Sequence, residues 1–165
     1  MKKIFYALLV ITAIVVAILL FNTLSLSSKQ VAPESFEKLT VSDAVFTNLA
    51  KAIQYPTISK SEDAVPDSTA FYGFHRYLEE TFPLVHANLS LEKINEYSLL
   101  YTWKGADTNK KSIILLSHQD VVPVDQPTLT DWEAGPFEGK ITDTHIIGRG
   151  TLDDKGSLIA LLESV

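Results

Sequence analysis

The chain has 165 residues, 46% of them hydrophobic, with 20 acidic against 14 basic side chains and a formal net charge of -6. That length suits one domain plus an anchor, and the acidic balance argues against a nucleic-acid partner, because no basic patch is available to displace counterions from a phosphate backbone. The absence of cysteine rules out a disulfide framework and leaves any metal to nitrogen and oxygen ligands.

Lys2-Lys3 precede an 18-residue run from Ile4 to Phe21 that is apolar except for Tyr6 and Thr12. As a helix it spans about 27 Å, close to one bilayer core. A signal-peptide core is shorter and ends at a small-x-small cleavage site, which Phe21-Asn22-Thr23-Leu24-Ser25 does not supply. The expectation is an uncleaved signal anchor over residues 1–24. The two lysines ahead of the span, against Lys29 alone soon after it, keep the N-terminus cytoplasmic and place the remainder outside the cytosol. A buried core helix is the other reading, but nothing polar gives this run a wet face.

Residues 25–41 are polar and irregular, with Pro33, and read as a spacer. Ser42-Asp43 then cap a run of Val45, Leu49, Ala52 and Ile53 at helical spacing, which stops before Pro56. Ser59 to Pro66 reads as a loop. Asp67-Ser68 cap a second helix in which Phe71, Phe74 and Leu78 recur, with Phe82 one turn on and Pro83 as the stop. His75 and His86 have no carboxylate at ligand spacing and read as structural. Asn88-Leu89-Ser90 fits the N-glycosylation acceptor pattern. Leu89 to Ile94 and Leu99 to Trp103 read as strands, and Ala106 to Lys111 as a turn.

Ile113-Ile114-Leu115-Leu116, bounded by polar residues, reads as a buried strand. It ends at Ser117-His118-Gln119-Asp120. Catalytic groups commonly sit where such platforms end. His118 and Asp120 are two apart and share one side of an extended chain. The carboxylate can therefore reach the back nitrogen of the imidazole, fixing its tautomer and raising its basicity. Taken alone, such a pair also reads as a satisfied surface contact.

Val121 to Gly139 is a long connection with three prolines, which Trp132 and Phe137 pin down; it serves equally as a surface excursion or a substrate-facing loop. Phe137 to Ile141 and His145 to Ile147 read as a hairpin, with His145 structural. Gly148-x-Gly150 lacks the third glycine of a dinucleotide fingerprint. Asp153 and Asp154 follow this glycine-flanked turn and precede a final helix carrying Leu158, Ile159, Leu161 and Leu162. A carboxylate here is a hard ligand for a divalent metal or a helix cap. The residues alone do not choose between Asp153 and Asp154. Arg149 and Lys155 read as electrostatic support for the turn. Helices, then strands, then a helix make a layered α/β domain.

The segments LLSHQDVVPV and GRGTLDDKG resemble the two N-terminal metal motifs of the M20 family of zinc-dependent peptidases and amidohydrolases. The stretch FHRYLEETFPLVHANLSLEKINEYSLLYTWKG ahead of them is similar to the Gly-Xaa carboxypeptidase and N-acyl-amino-acid hydrolase branch. The resemblance runs from about Val45 to Val165. It implies the N-terminal part of a zinc-peptidase-like catalytic domain of α/β/α layers over residues 42–165, behind a transmembrane helix. It implies two zinc ions, with His118 a ligand of one and Asp153 bridging both, and Asp120 as catalytic support behind the histidine. The implied reaction is hydrolysis of an amide bond in a small peptide or N-acyl amino acid. The family's general base, further ligands and lid domain match nothing here and would lie beyond Val165. The 165 residues by themselves are therefore expected to be inactive and to bind zinc weakly. The competing expectation is a membrane-anchored interaction module that keeps the fold without the chemistry.

Overall fold

The computed structural model describes residues 2–30, 40–61, 64–107 and 109–165. Residues 31–39 of the expected spacer, Glu62 and Asp63 of the next loop, and Thr108 of the later turn lie outside the described residues. The chain divides into two units, Met1–Leu39 and Thr40–Val165.

The first unit holds α1 (Lys2–Ser25). The helix extends the apolar run by a turn, and the Thr23 hydroxyl folds back onto the Leu19 carbonyl at 2.8 Å. No residue of α1 is buried by protein, and by length and composition the helix can cross a membrane.

In the second unit, α2 (Asp43–Ile53) begins where Ser42 Oγ accepts from the Ala44 amide at 3.3 Å. Asp43 in its first turn and Lys51 in its last complement the helix dipole. α3 (Ser68–Thr81) starts at Asp67, whose Oδ1 accepts from Thr69 at 2.9 Å and Ala70 at 3.4 Å. Its apolar spacing puts Phe71, Phe74 and Leu78 on the buried face. Pro83 does end α3, yet it also opens a short α4 (Pro83–Asn88), because a missing N–H costs nothing in a first turn. β1 (Ser90–Ile94) and β2 (Ser98–Thr102) pair antiparallel, from Ser90 opposite Thr102 to Ile94 opposite Ser98. Asn95 and Glu96 turn the hairpin at positive φ. β3 (Lys140–Ile141) and β4 (Ile146–Ile147) form a second, minimal hairpin, and α5 (Lys155–Ser164) closes the unit.

The core gathers Ala52 of α2, Phe74, Tyr77 and Leu78 of α3, Phe82, Val85 of α4 and Ile159 of α5. Burying each large apolar side chain contributes roughly 1.5–3 kcal/mol. This shared core holds both ends of the unit's sequence together, with α5 lying along α2.

One expectation is corrected. Ile113–Leu116 is not a buried strand: the four side chains are 60–85% exposed and belong to no sheet. The sheets among the described residues are the two hairpins, so no central layer covers this segment. A strand is buried by its neighbours rather than by its own composition, and its backbone groups here are left to solvent. Pairing resumes just beyond the run. Val121 N–H donates to Thr57 O at 2.9 Å and Ser59 N–H to Val121 O at 3.0 Å, a parallel bridge between Ile58 and Val121.

Candidate metal centre

Two stretches about thirty residues apart in sequence meet at the end of that bridge. The first, Ser117 to Val121, is gripped from behind. Gln119 lies between the two candidate residues and, by strand alternation, faces the other way. Its Oε1 is 2.9 Å from His75 Nε2, its Nε2 donates to the Tyr97 carbonyl, and its own carbonyl accepts from Thr57 Oγ1 at 2.6 Å. Burial lowers the pKa of His75; Nε2–H donates to the Gln119 Oε1 acceptor, and Nδ1 is buried without a partner.

The second stretch, Gly148 to Lys155, packs so tightly that its glycines cannot carry side chains. A Cβ on Gly148 would fall 2.4 Å from Ile53 Cγ2. Gly150 has φ +91°, and a Cβ there would fall 2.6 Å from Val121 Cγ1. Gly150 against Val121 is thus the direct brace between the two arms. Arg149 turns away: its amide donates to Pro136 O at 2.6 Å and its guanidinium lies 5.4 Å from the Trp132 ring centroid. Both contacts fasten the proline-rich loop rather than charge the turn.

Lys155 also departs from expectation. It is fully buried, and its ammonium donates to the Ala52 and Tyr55 carbonyls at 2.9 and 2.6 Å, 4.6 Å from the Phe74 ring centroid. Burial lowers its pKa to about 7. Lysines are seldom buried, so no sequence signal pointed to this one. Gln119 was legible in principle, from its inward register between two outward residues.

The arms bring His118, Asp120, Asp153 and Asp154 together. His118 Nε2 is 2.8 Å from Asp153 Oδ1. On the other side of the ring, Nδ1 is 3.0 Å from the Asp120 carbonyl and 3.2 Å from its Oδ1. Asp154 Oδ2 accepts from the His118 backbone amide at 3.3 Å. The neighbouring carboxylates therefore differ in role: Asp153 meets the ring, Asp154 the main chain. Burial works to lower the His118 pKa, but the Asp153 hydrogen bond and the Asp120 carbonyl and carboxylate outweigh it, and the net shift is upward.

An imidazole nitrogen facing a carboxylate oxygen, with the second nitrogen held by another carboxylate, has the donor chemistry of a divalent metal site. Two such donors on one tetrahedral zinc ion sit about 3.3 Å apart. The 2.8 Å contact is instead that of a direct hydrogen-bonded pair, and these two side chains are the ones that would hold a divalent cation. Among the described residues, no group of three or more His, Cys, Asp or Glu side chains gathers on one point. His118 and Asp153 by themselves are fewer than the three or four protein ligands a zinc site uses.

A family model for peptidase family M20/M25/M40 matches residues 114–165. The chain is 44% identical over 160 residues to a probable carboxypeptidase S-like protein of Dictyostelium discoideum, covering 92% of this chain and 30% of that protein. It is 42% identical over 124 residues to carboxypeptidase S of Saccharomyces cerevisiae (71% and 22% covered). It is 40% identical over 119 residues to the Homo sapiens N-fatty-acyl-amino acid synthase/hydrolase (71% and 23% covered). The crystal structure of an M20 family metallo-carboxypeptidase from Sulfolobus solfataricus superposes with a TM-score of 0.56 at 28% identity, covering 74% of this chain and 26% of that one. The chain spans less than a third of the length of each of these four. Motifs, relatives and fold agree that it belongs to the M20 peptidase family, in the branch of carboxypeptidase S-like enzymes and N-acyl-amino-acid hydrolases.

Proposed function

We propose that the chain contributes to zinc-dependent hydrolysis of an amide bond in a small peptide or an N-acyl amino acid. The observation that carries the reading is the 2.8 Å convergence of His118 Nε2 and Asp153 Oδ1 from two stretches 35 residues apart in sequence. The relatives support the substrate class, since those named are carboxypeptidases and N-fatty-acyl-amino acid hydrolases. In this reading His118 and Asp153 would hold the metal, and Asp153 would be the carboxylate available to a second zinc ion in the complete site. Bound zinc supplies Lewis acidity and lowers the pKa of water.

The protein residues supply position and proton control. Asp120 fixes the His118 tautomer that leaves Nε2 facing Asp153, and Asp154 fixes the His118 main chain. The layered α/β/α catalytic domain belongs to the whole enzyme. Residues 1–24 form the signal anchor, 25–41 the spacer and 42–165 the catalytic portion. The apolar α1 with Lys2 and Lys3 at its start supports a single-pass orientation with a cytoplasmic N-terminus.

The test is turnover of N-acyl amino acids and dipeptides by the whole membrane-bound protein, with and without a zinc chelator. Chelation should abolish turnover, and Asp120→Ala should lower it about 10- to 100-fold. Chelator-resistant turnover overturns the metal reading. Unchanged turnover in the Asp120 variant overturns that residue's role. No turnover of either substrate class, with the protein folded, leaves the non-catalytic interaction module in its place.

A further inference from the structure

We propose that Lys155 is a positioning residue: an ammonium buried beneath the Asp153 turn, tied to the end of α2, that sets where the Asp153 carboxylate meets His118. The inference rests on the site reading above and deepens it.

Lys155 is one of the few polar side chains buried among the described residues, with Thr57 and His75. Taking an ammonium out of water costs several kcal/mol, so the partners must be suited to it. They are the Ala52 and Tyr55 carbonyls, in the last turn of α2 and just past it, where the negative end of the helix dipole favours a cation. The Phe74 ring face adds a third favourable surface. The same residue closes the turn through its backbone, since Lys155 N–H donates to Gly150 O at 3.0 Å. Its stem runs past Gly150, where a Cβ would stand 3.7 Å from Cγ and Cδ. One residue therefore shuts the loop carrying Asp153 and fastens it to a helix about a hundred positions earlier.

The simpler role for a lysine beside two aspartates is a counter-charge. The geometry does not support it. The ion pairs among the described residues both belong to His118, and the Lys155 ammonium points down to α2. Asp153 is left open to solvent and to His118. The lysine acts on the carboxylate through the backbone that carries it.

The test uses the 165-residue chain in detergent micelles, with 15N-labelled histidine. The His118 Nε2–H proton bonded to Asp153 is shifted downfield, and Asp153→Asn identifies it by removing the shift. Lys155→Met keeps the apolar stem and loses both donor contacts; the Asp153-dependent shift should be lost while helical content stays. The chain has no cysteine, so Lys155→Cys can be alkylated alone, in the unfolded state, and refolded. Aminoethylation rebuilds a lysine-like ammonium and should restore the shift, whereas propylation should not. A folded Lys155→Met variant with an unchanged shift overturns the proposal and leaves the His118–Asp153 pair standing. Collapse of the fold in the Met and propylated forms alike makes Lys155 a stability residue and also overturns it. A parent spectrum with no Asp153-dependent shift overturns the pair itself, and the proposal with it.

Discussion

Gly150→Ala is the sharpest single perturbation of the brace between the arms. The added methyl falls 2.6 Å from Val121 Cγ1, against the roughly 3.5–4.0 Å of ordinary carbon contacts. One partner must therefore yield by about 1 Å. Val121 is 2% exposed and tied by its amide to Thr57 and by its carbonyl to Ser59, so it cannot swing away. Overpacking of this kind costs about 1–3 kcal/mol. The φ of +91° adds about 1–2 kcal/mol for an L side chain, and the stiffer unfolded chain returns about 0.4–1 kcal/mol of the loss. The net is about 1–5 kcal/mol, a large part of a typical domain's stability and on the order of 10 °C in melting temperature for a unit of this size. Thermal unfolding followed by circular dichroism reads it. Gly105→Ala is the control, because a Cβ there meets nothing within 4 Å. Val121→Ala in the Gly150→Ala background should remove the steric part and leave the backbone part. If Gly150→Ala melted with the Gly105→Ala control, the close approach of the arms would be wrong.

Zinc should bind the 165-residue chain more weakly than micromolar, because the converging pair offers two ligands where a site needs three or four; micromolar or tighter binding by titration calorimetry, lost in His118→Ala, would contradict this. Whatever affinity there is should rise with pH while His118 is still protonated, by up to tenfold per unit, since the raised imidazole pKa makes metal and proton compete for one nitrogen. Alkali should weaken the fold through Tyr101, which burial first and then Glu79 push up to about 12. The folded state keeps this proton while the unfolded state loses it near pH 10, so stability falls as pH rises from 10 to 12, and Tyr101→Phe should flatten that fall in urea titrations. Asp67→Ala should cost about 0.5–2 kcal/mol by removing the α3 cap, whereas a loss under 0.2 kcal/mol would mean the two capping bonds are idle.

Local signals were strong wherever the structure is decided locally. Ser42 and Asp67 marked the starts of α2 and α3, and the apolar spacing of Phe71, Phe74 and Leu78 identified the buried face of α3. The strands at 89–94 and 99–103 were legible from their composition, though not their pairing, and the second hairpin was legible but is trimmed to two residues per strand. What could not be read was set by partners distant in sequence. Ile113–Leu116 has the composition of an inner strand, but burial depends on a neighbour, and none lies beside it among the described residues. Pro83 stops one helix and starts another because its fixed φ serves both purposes. At the candidate site, the spacing of His118 and Asp120 conveyed a shared side, and the glycines a tight turn. That the turn arrives 2.8 Å from His118 depends on Val121, Ile53 and the buried Lys155. No pattern in one dimension encodes those contacts.

The bare aliphatic stretch at 113–116 bears on how the molecule behaves in solution. Four consecutive exposed aliphatic side chains outside any sheet are a candidate segment for cross-β stacking between molecules. Lys110 and Lys111 stand ahead of it, with Ser112 between, where like charges act as gatekeepers against such association. Colloidal behaviour should therefore depend on ionic strength through those two ammonium groups, and recombinant yield should be limited by self-association of this segment before it is limited by thermal unfolding.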